Sequence, residues 1–166
     1  QVNDVIIFNN KDDFQKEIAQ VKKLKVYLNQ KNFLKKQKLK IKSIELFETN
    51  FFINKSDIVF IKKFLNKGFY GKSLIIKRAN LFYQDQDKNT ISFLNLKKIN
   101  INYNNNINQD ILISNGEIFN IPFNITWKQD RNKLEKNTSL KFKKIKLNVL
   151  NLTKSVNDKK ENRLQV

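Results

Sequence analysis

Apolar residues in this chain return at every second position, and that spacing constrains the fold more than any other feature. Leu24, Val26 and Leu28 alternate with Lys23, Lys25 and Tyr27. Leu39 and Ile41 sit between Lys38, Lys40 and Lys42, and Ile99, Ile101 and Tyr103 between Asn100 and Asn102. Ile111 and Ile113, then Ile118, then Ile121, Phe123 and Ile125 continue the series, and Leu140, Phe142, Ile145, Leu147 and Val149 close it. Successive side chains of a strand point to opposite faces, so this spacing describes strands with one dry and one wet face. The predicted strands fall near 4–9, 20–29, 37–53, 73–84, 90–104, 109–119, 121–128 and 138–152. The fold class that follows is mainly β, with one or two short helices.

Few segments depart from that rule. Ser56-Asp57 ahead of Ile58, Ile61, Phe64 and Leu65, with Gly68 behind, predicts an N-capped helix over 57–66. Lys11–Gln20 reads as a second, weaker helix and Gln30–Lys36 as a single turn around Phe33 and Leu34. Asp85-Gln86-Asp87-Lys88-Asn89 joins two strands as a hairpin turn. Pro122 would break a ladder bond, so it marks a bend or an edge between a strand and its return. A faint echo links the Leu24–Leu46 region to the Ile99–Phe119 region at an offset of about 75 positions, a sign of stacked β-units. The organisation expected is one β-rich domain over 1–153, a segment of a longer protein, with a polar, frayed tail or linker over 154–166.

Residue usage removes several chemistries. The 166 residues contain no Cys, His or Met. Ser-His-Asp and Cys-His nucleophiles, thiol redox chemistry and zinc sites of Cys or His ligands are therefore excluded. No run approaches the roughly 18 apolar residues of a membrane-spanning helix. The missing initiator Met is read as processing, so a leader or anchor could precede the chain. The net charge is +18, yet 30 of the 33 basic residues are Lys and only Arg78, Arg131 and Arg163 are Arg. Bidentate readout of phosphate or guanine favours Arg. Lys, Asn, Ile and Phe are also the residues of A/T-rich codons, which places much of the charge on solvated faces. An RNA or an anionic lipid surface remains as an electrostatic partner.

The carboxylates worth inspecting are Glu45, Glu48, Asp57, Asp85, Asp87, Asp110, Glu117 and Asp130. A glycosidase needs two facing carboxylates across a cleft, and nothing in the spacing pairs two of them. Asp85-x-Asp87-x-Asn89 starts like a calcium loop but lacks the following Gly and the distal Glu. Gly68-Phe-Tyr-Gly71-Lys-Ser has the wrong spacing for a phosphate loop and reads as a chain reversal. Aromatics interleave with Lys at Phe60–Tyr70 and at Leu81-Phe82-Tyr83, as in single-strand binders, although burial is the simpler account. Phe47, Phe51 and Phe52 read as lining a core or a lipid-facing surface, and Trp127 reads as a rim anchor or, more simply, as packing at a strand end. No catalytic, metal or cofactor residue emerges.

The order of these pieces carries a resemblance. Val21-Lys-Lys-Leu24-x-Val26-x-Leu28 leads to Leu39-x-Ile41-x-Ser43-Ile44-x-Leu46 and Asn50-Phe51-Phe52-Ile53. Leu74-Ile75-Ile76-Lys77-x-Ala79-Asn80-Leu81-Phe82-Tyr83-x-Asp85 follows, then Gly116-Glu117-Ile118-Phe119-Asn120-Ile121-Pro122-Phe123. Over roughly residues 20–152 this cadence resembles the AsmA-like family, relatives of the TamB translocation and assembly module, in versions from A/T-rich bacteria. The resemblance implies a non-enzymatic periplasmic protein, held to the bacterial inner membrane by a helix outside this chain. It implies a mainly β fold, an antiparallel, curved, elongated sheet shaped as an apolar β-groove or an open solenoid-like sheet, that serves phospholipid transport or outer-membrane biogenesis. The expected partners are a phospholipid or membrane surface and neighbouring repeats of the same chain. Leu24, Val26, Ile41, Ile44, Ile76, Ile99, Ile101, Ile113, Ile118 and Phe123 are the inward alternates that would line such a groove, or a core. The rival expectations are a basic RNA-binding or ribosomal-type protein and a structural β-repeat without ligand.

Overall fold

The computed structural model describes residues 1–11, 14–30, 40–59, 61, 63, 72–156 and 159–166. Ten strands lie in one open sheet in sequential order. They are β1 (Val2–Lys11), β2 (Phe14–Leu28), β3 (Ile41–Ile53), β4 (Ser73–Gln84) and β5 (Thr90–Asn104). β6 (Gln109–Ile118), β7 (Ile121–Asp130), β8 (Glu135–Phe142), β9 (Leu147–Val156) and β10 (Lys159–Gln165) complete it. Every neighbouring pair is antiparallel except β3 and β4, which run parallel.

The parallel pair is in register at a separation of 30 residues. Ser43 lies beside Ser73, Asn50 beside Asn80 and Phe52 beside Phe82. The in-register echo is therefore 30 residues long, and not the 75 expected from sequence. Leu24 and Ile99, which carried the 75-residue echo, lie in one row with Leu46 and Ile76 between them.

Three other expectations need correction. The predicted weak helix at 11–20 belongs to β1 and β2. Ile18 is an extra residue there, since Ile7 faces Ala19 while Phe8 faces Glu17. That bulge interrupts the alternation and gives Phe14, Ile18 and Val21 a helix-like spacing. The strand expected over 138–152 is two strands, parted at Lys143–Ile145 by a 3-10 turn that ends on Lys146 in a left-handed conformation. The 154–166 region, expected to be frayed, holds the end of β9 and the whole of β10. The sheet thus continues across the boundary drawn at 153.

The turns follow their side chains. Phe119 and Asn120 have φ of 49° and 59° between the facing residues Ile118 and Ile121. Positive φ at both central residues is the two-residue turn whose twist suits a hairpin. Pro122 faces Glu117, and the pairing of β8 with β7 starts only at Asn124, so its missing N–H breaks no bond to β8. At the 85–89 hairpin the Asp85 carboxylate accepts from the Asn89 backbone N–H at 2.8 Å. Residues 57–59 are helical, but the cap is Asn54 and not Ser56. The Asn54 side chain accepts from the Ser56 and Asp57 N–H groups at 3.0 and 3.3 Å. Asp57 reaches back to the Asn54 N–H at 2.9 Å, the reciprocal arrangement of a capping box. Residues 64–66, Gly68 and the 31–36 turn lie outside the described residues.

One row of residues creases the sheet. Asp4, Lys22, Glu48, Arg78 and Lys97 occupy the same level on β1 to β5, between the facing pairs on either side. Asp4, Glu48 and Arg78 have φ of 51°, 49° and 56°, a conformation non-glycine residues rarely adopt. Each such residue flips the alternation. On β3 the inward set runs Ile44, Leu46 and then Thr49, Phe51; on β4 it runs Leu74, Ile76 and then Ala79, Leu81. Lys97 ends the row as a bulge, because Leu96 and Lys98 face the consecutive residues Gly116 and Asn115. Bulges bend strands, so a row of them folds the sheet along a line.

The apolar face is most buried beside that crease. Val21, Thr49, Ala79 and Leu96 are 1%, 0%, 1% and 6% exposed. Gly116 and Phe123 extend the line, and the Phe123 ring lies over Gly116. Small side chains at full burial are what the concave side of a fold in a sheet requires. The core consists of Val21, Leu46, Ile76, Ala79, Leu96 and Phe123, with Leu24, Ile44, Phe51, Leu74 and Ile99 among those packed against it. The accessible surface is 12220 Å², whereas a compact protein of this mass would show about 8,600 Å². The surplus is what a broad open sheet produces.

Candidate functional site

Each face of the sheet has its own chemistry. On the apolar face, rows of side chains cross the strands. One row is Leu24, Leu46, Ile76, Ile99, Ser114, Ile125, Leu140 and Val149. The next contains Val26, Ile44, Leu74, Ile101, Leu112 and Trp127. The face is dry at its centre and open at one corner. There Val2, Val26, Leu28 and Ile41 are 55%, 42%, 45% and 38% exposed.

Most of the inward residues expected from sequence meet on this face. Leu24, Ile44, Ile76, Ile99, Ile118 and Phe123 belong to one apolar cluster, and Ile101 is 4% exposed. Val26 and Ile41 stand at the open corner. Ile113 does not join them. It is 53% exposed and faces Asn100 and Thr126 on the other side of the sheet. Its neighbours Leu112 and Ser114 hold the inward positions, so the alternation on β6 runs one residue out of step with the expected one. Sequence reading also missed Val21, Leu46, Ala79 and Leu96. The one-residue slips at the crease were the signal for them.

Along the same end of the sheet, the β5–β8 side closes in polar groups. Asp110 is fully buried and holds the Arg131 Nε at 2.6 Å. Tyr103 donates to the Asn108 side chain, whose amide donates to Asn132. Asp130 accepts from the Asn132 and Lys133 N–H groups at 2.9 and 3.0 Å and from Gln109 at 3.1 Å. The Lys133 bond, followed by the Gln109 bond, holds the Asp130 carboxyl below its ordinary range.

The opposite face is polar and ordered. Glu48 bridges Lys22 at 2.7 Å and Arg78 at 2.8 Å, and Lys97 meets Glu117 at 2.5 Å. The Lys22 bond and then the Arg78 charge lower the Glu48 pKa. Beside them, Asn80 donates to Asn50 at 3.0 Å and Asn95 to Asn80 at 3.4 Å. Two residues further, Phe52 and Phe82 stack at 5.4 Å and Phe82 meets Phe93 at 5.2 Å. A shallow trough of about 760 Å³ runs over the crease. Phe47 lies on this face under Lys25 and Lys77, at 5.4 and 4.9 Å. Phe51, by contrast, packs on the apolar side.

Several of the carboxylates singled out from sequence hold a cation. Glu45 meets Lys77 at 3.8 Å, Asp57 meets Lys16, and Asp110 meets Arg131. Glu48 stands in the row of Arg78 and Lys97, whereas Glu117 faces Asn95 in the row of Asn50 and Asn80, so these two carboxylates do not face one another. Among the described residues no three acidic side chains gather as a metal site would need. No described helix is long and apolar enough to cross a membrane. Comparison with protein-family models, curated proteins and solved structures returned no match.

Proposed function

We propose that this chain is a non-enzymatic, lipid-handling β-sheet of the AsmA/TamB type. It would belong to the periplasm of a bacterial envelope, be anchored to the inner membrane by a helix outside this chain, and serve phospholipid transport or outer-membrane biogenesis. The observation that carries the reading is an apolar face that crosses the sheet strand by strand and emerges half-exposed at Val2, Val26, Leu28 and Ile41. Acyl chains need no directional partner. They need a dry track with an opening, since burial contributes about 0.8 kcal/mol per methylene.

The geometry supports an RNA reading less well. Base stacking needs free ring faces. Phe52 and Phe82 stack on one another at an interplanar angle of 13°, which occupies the faces they turn toward each other. Lys22, Arg78 and Lys97 are already paired with carboxylates.

The test is transfer of a fluorescent phospholipid out of vesicles by the purified chain. The wild type should extract it, and Val26→Asp should extract far less while keeping the same circular dichroism. Wild-type protein that leaves vesicles untouched yet binds single-stranded RNA would refute the proposal. Such RNA binding should weaken with salt at a log–log slope of about −0.7 per phosphate contacted.

A further inference from the structure

Phe119 occupies a position that a hairpin ordinarily gives to asparagine or glycine. It is the first central residue of the β6–β7 turn, with φ of 49°, a conformation unfavourable for a bulky side chain. Burial does not offset that strain, because the residue is 77% exposed. A strained aromatic residue bare at a turn tip points to a contact outside the chain. The β8–β9 connection reaches the same end of the sheet. Phe142 packs on Phe123 at 6.1 Å, and the 3-10 turn Lys143–Ile145 follows beside β7. No residue of that turn is buried, and Ile145 is 51% exposed. Exposed Lys141, Lys143, Lys144 and Lys146 flank it, and none of the four forms an ion pair among the described residues. From 136 to 156 the chain has no Asp or Glu. Glu117 at this end is held by Lys97. The neighbouring 85–89 hairpin adds Asp87 and an Asp85 engaged by Asn89, so cations are in surplus.

We infer that the β6–β7 and β8–β9 turns dock this end of the sheet on an anionic phospholipid bilayer. Phe119 and Ile145 enter the headgroup layer, and the four Lys meet the lipid anions. Interfacial segments combine apolar side chains that insert with basic ones that stay outside. A cluster of Lys beside them is the charge pattern that selects anionic lipid. Lys suits this contact as a mobile point charge, whereas a fixed bidentate grip on one phosphate would call for Arg. The aliphatic Ile145 beside the cations favours acyl chains over nucleic acid, whose bases need aromatic platforms. The site lies toward the other end of the strands from Val26. On β6 the Val26 row falls at Leu112, and Ser114, Gly116 and Ile118 follow before the turn. The docking site is therefore separate from the apolar track and stands or falls apart from the lipid-transport reading.

Co-sedimentation with vesicles tests the docking, using phosphatidylcholine alone and an equal mixture of phosphatidylcholine and phosphatidylglycerol. The chain should bind the mixed vesicles and leave the neutral ones, with affinity falling as salt rises. Phe119→Asn suits the turn better than Phe does, so it should keep or raise the melting temperature while weakening vesicle binding about tenfold. Replacing Lys143 and Lys144 together by Gln should weaken it about 25-fold at low salt, from about fivefold per Lys. Val26→Asp should bind vesicles like the wild type. No binding to the mixed vesicles would overturn the inference, whatever the extraction assay shows. So would binding indifferent to Phe119→Asn, or binding lost with Val26→Asp, which would move the contact to the apolar track. A chain that ignores vesicles and binds single-stranded RNA through Lys143 and Lys144 would overturn it as well.

Discussion

Gly116 shows how tightly the fold is written at a single position. A Cβ there would stand 2.2 Å from the Asn95 carbonyl oxygen and 3.0 Å from the Phe123 ring. Gly116→Ala must displace backbone and should cost about 1–3 kcal/mol, read as a lower urea midpoint at unchanged slope. Asp110 is the second such position. Asp110→Ala leaves Arg131 partly buried without its carboxylate and should cost about 3–5 kcal/mol in the same assay. Both residues stand out in the sequence, Asp110 as a carboxylate and Gly116 within a distinctive string, but their reasons did not. The partners lie far along the chain, Asn95 and Phe123 on the strands beside Gly116 and Arg131, 21 residues from Asp110, in the turn after β7, and local spacing carries no such pairing. Asn54 differs, because Asn-x-x-Asp was readable as a capping box. Asn54→Ala should cost about 1 kcal/mol.

At the scale of the element, alternation located the strands well because a half-buried strand imposes period two on its own sequence. It failed where the chain leaves that period. Ile18 turned the first half of β2 into an apparent helix, and Ile113 was assigned to the wrong face. The crease has the same cause. Asp4, Glu48 and Arg78 adopt positive φ without being glycine, so no turn residue announces them. The Lys22–Glu48–Arg78 pairing makes the crease sensitive to acid. The Glu48 pKa is lowered in the folded state, so its contribution is complete above the ordinary carboxylate range and is lost as pH falls through the lowered value. Glu48→Gln should therefore flatten the acid limb of a stability–pH curve while changing little of its shape at neutral pH. An acid limb identical to that of the wild type would show that the Lys22–Glu48–Arg78 row adds nothing to the fold.

For the whole molecule, fold class was legible and connectivity was not. The 30-residue register of β3 on β4 places Asn on Asn and Phe on Phe, a repeat that Ser43-Ile-x-Leu against Ser73-Leu-x-Ile only hints at. Parallel pairing also depends on the intervening chain, which strand spacing does not report. What the apolar alternation could not decide was whether its residues form a closed core or an open track. The sheet answers in two parts: its centre is buried against the crease, and its β1–β3 corner is open. The lipid-handling account rests on that corner. Phospholipid extraction from the gently purified chain, followed by mass spectrometry, tests it most directly. The account predicts phospholipid in stoichiometric amount from the wild type and little from Val26→Asp. Lipid-free wild-type protein, or equal lipid in both, would contradict it.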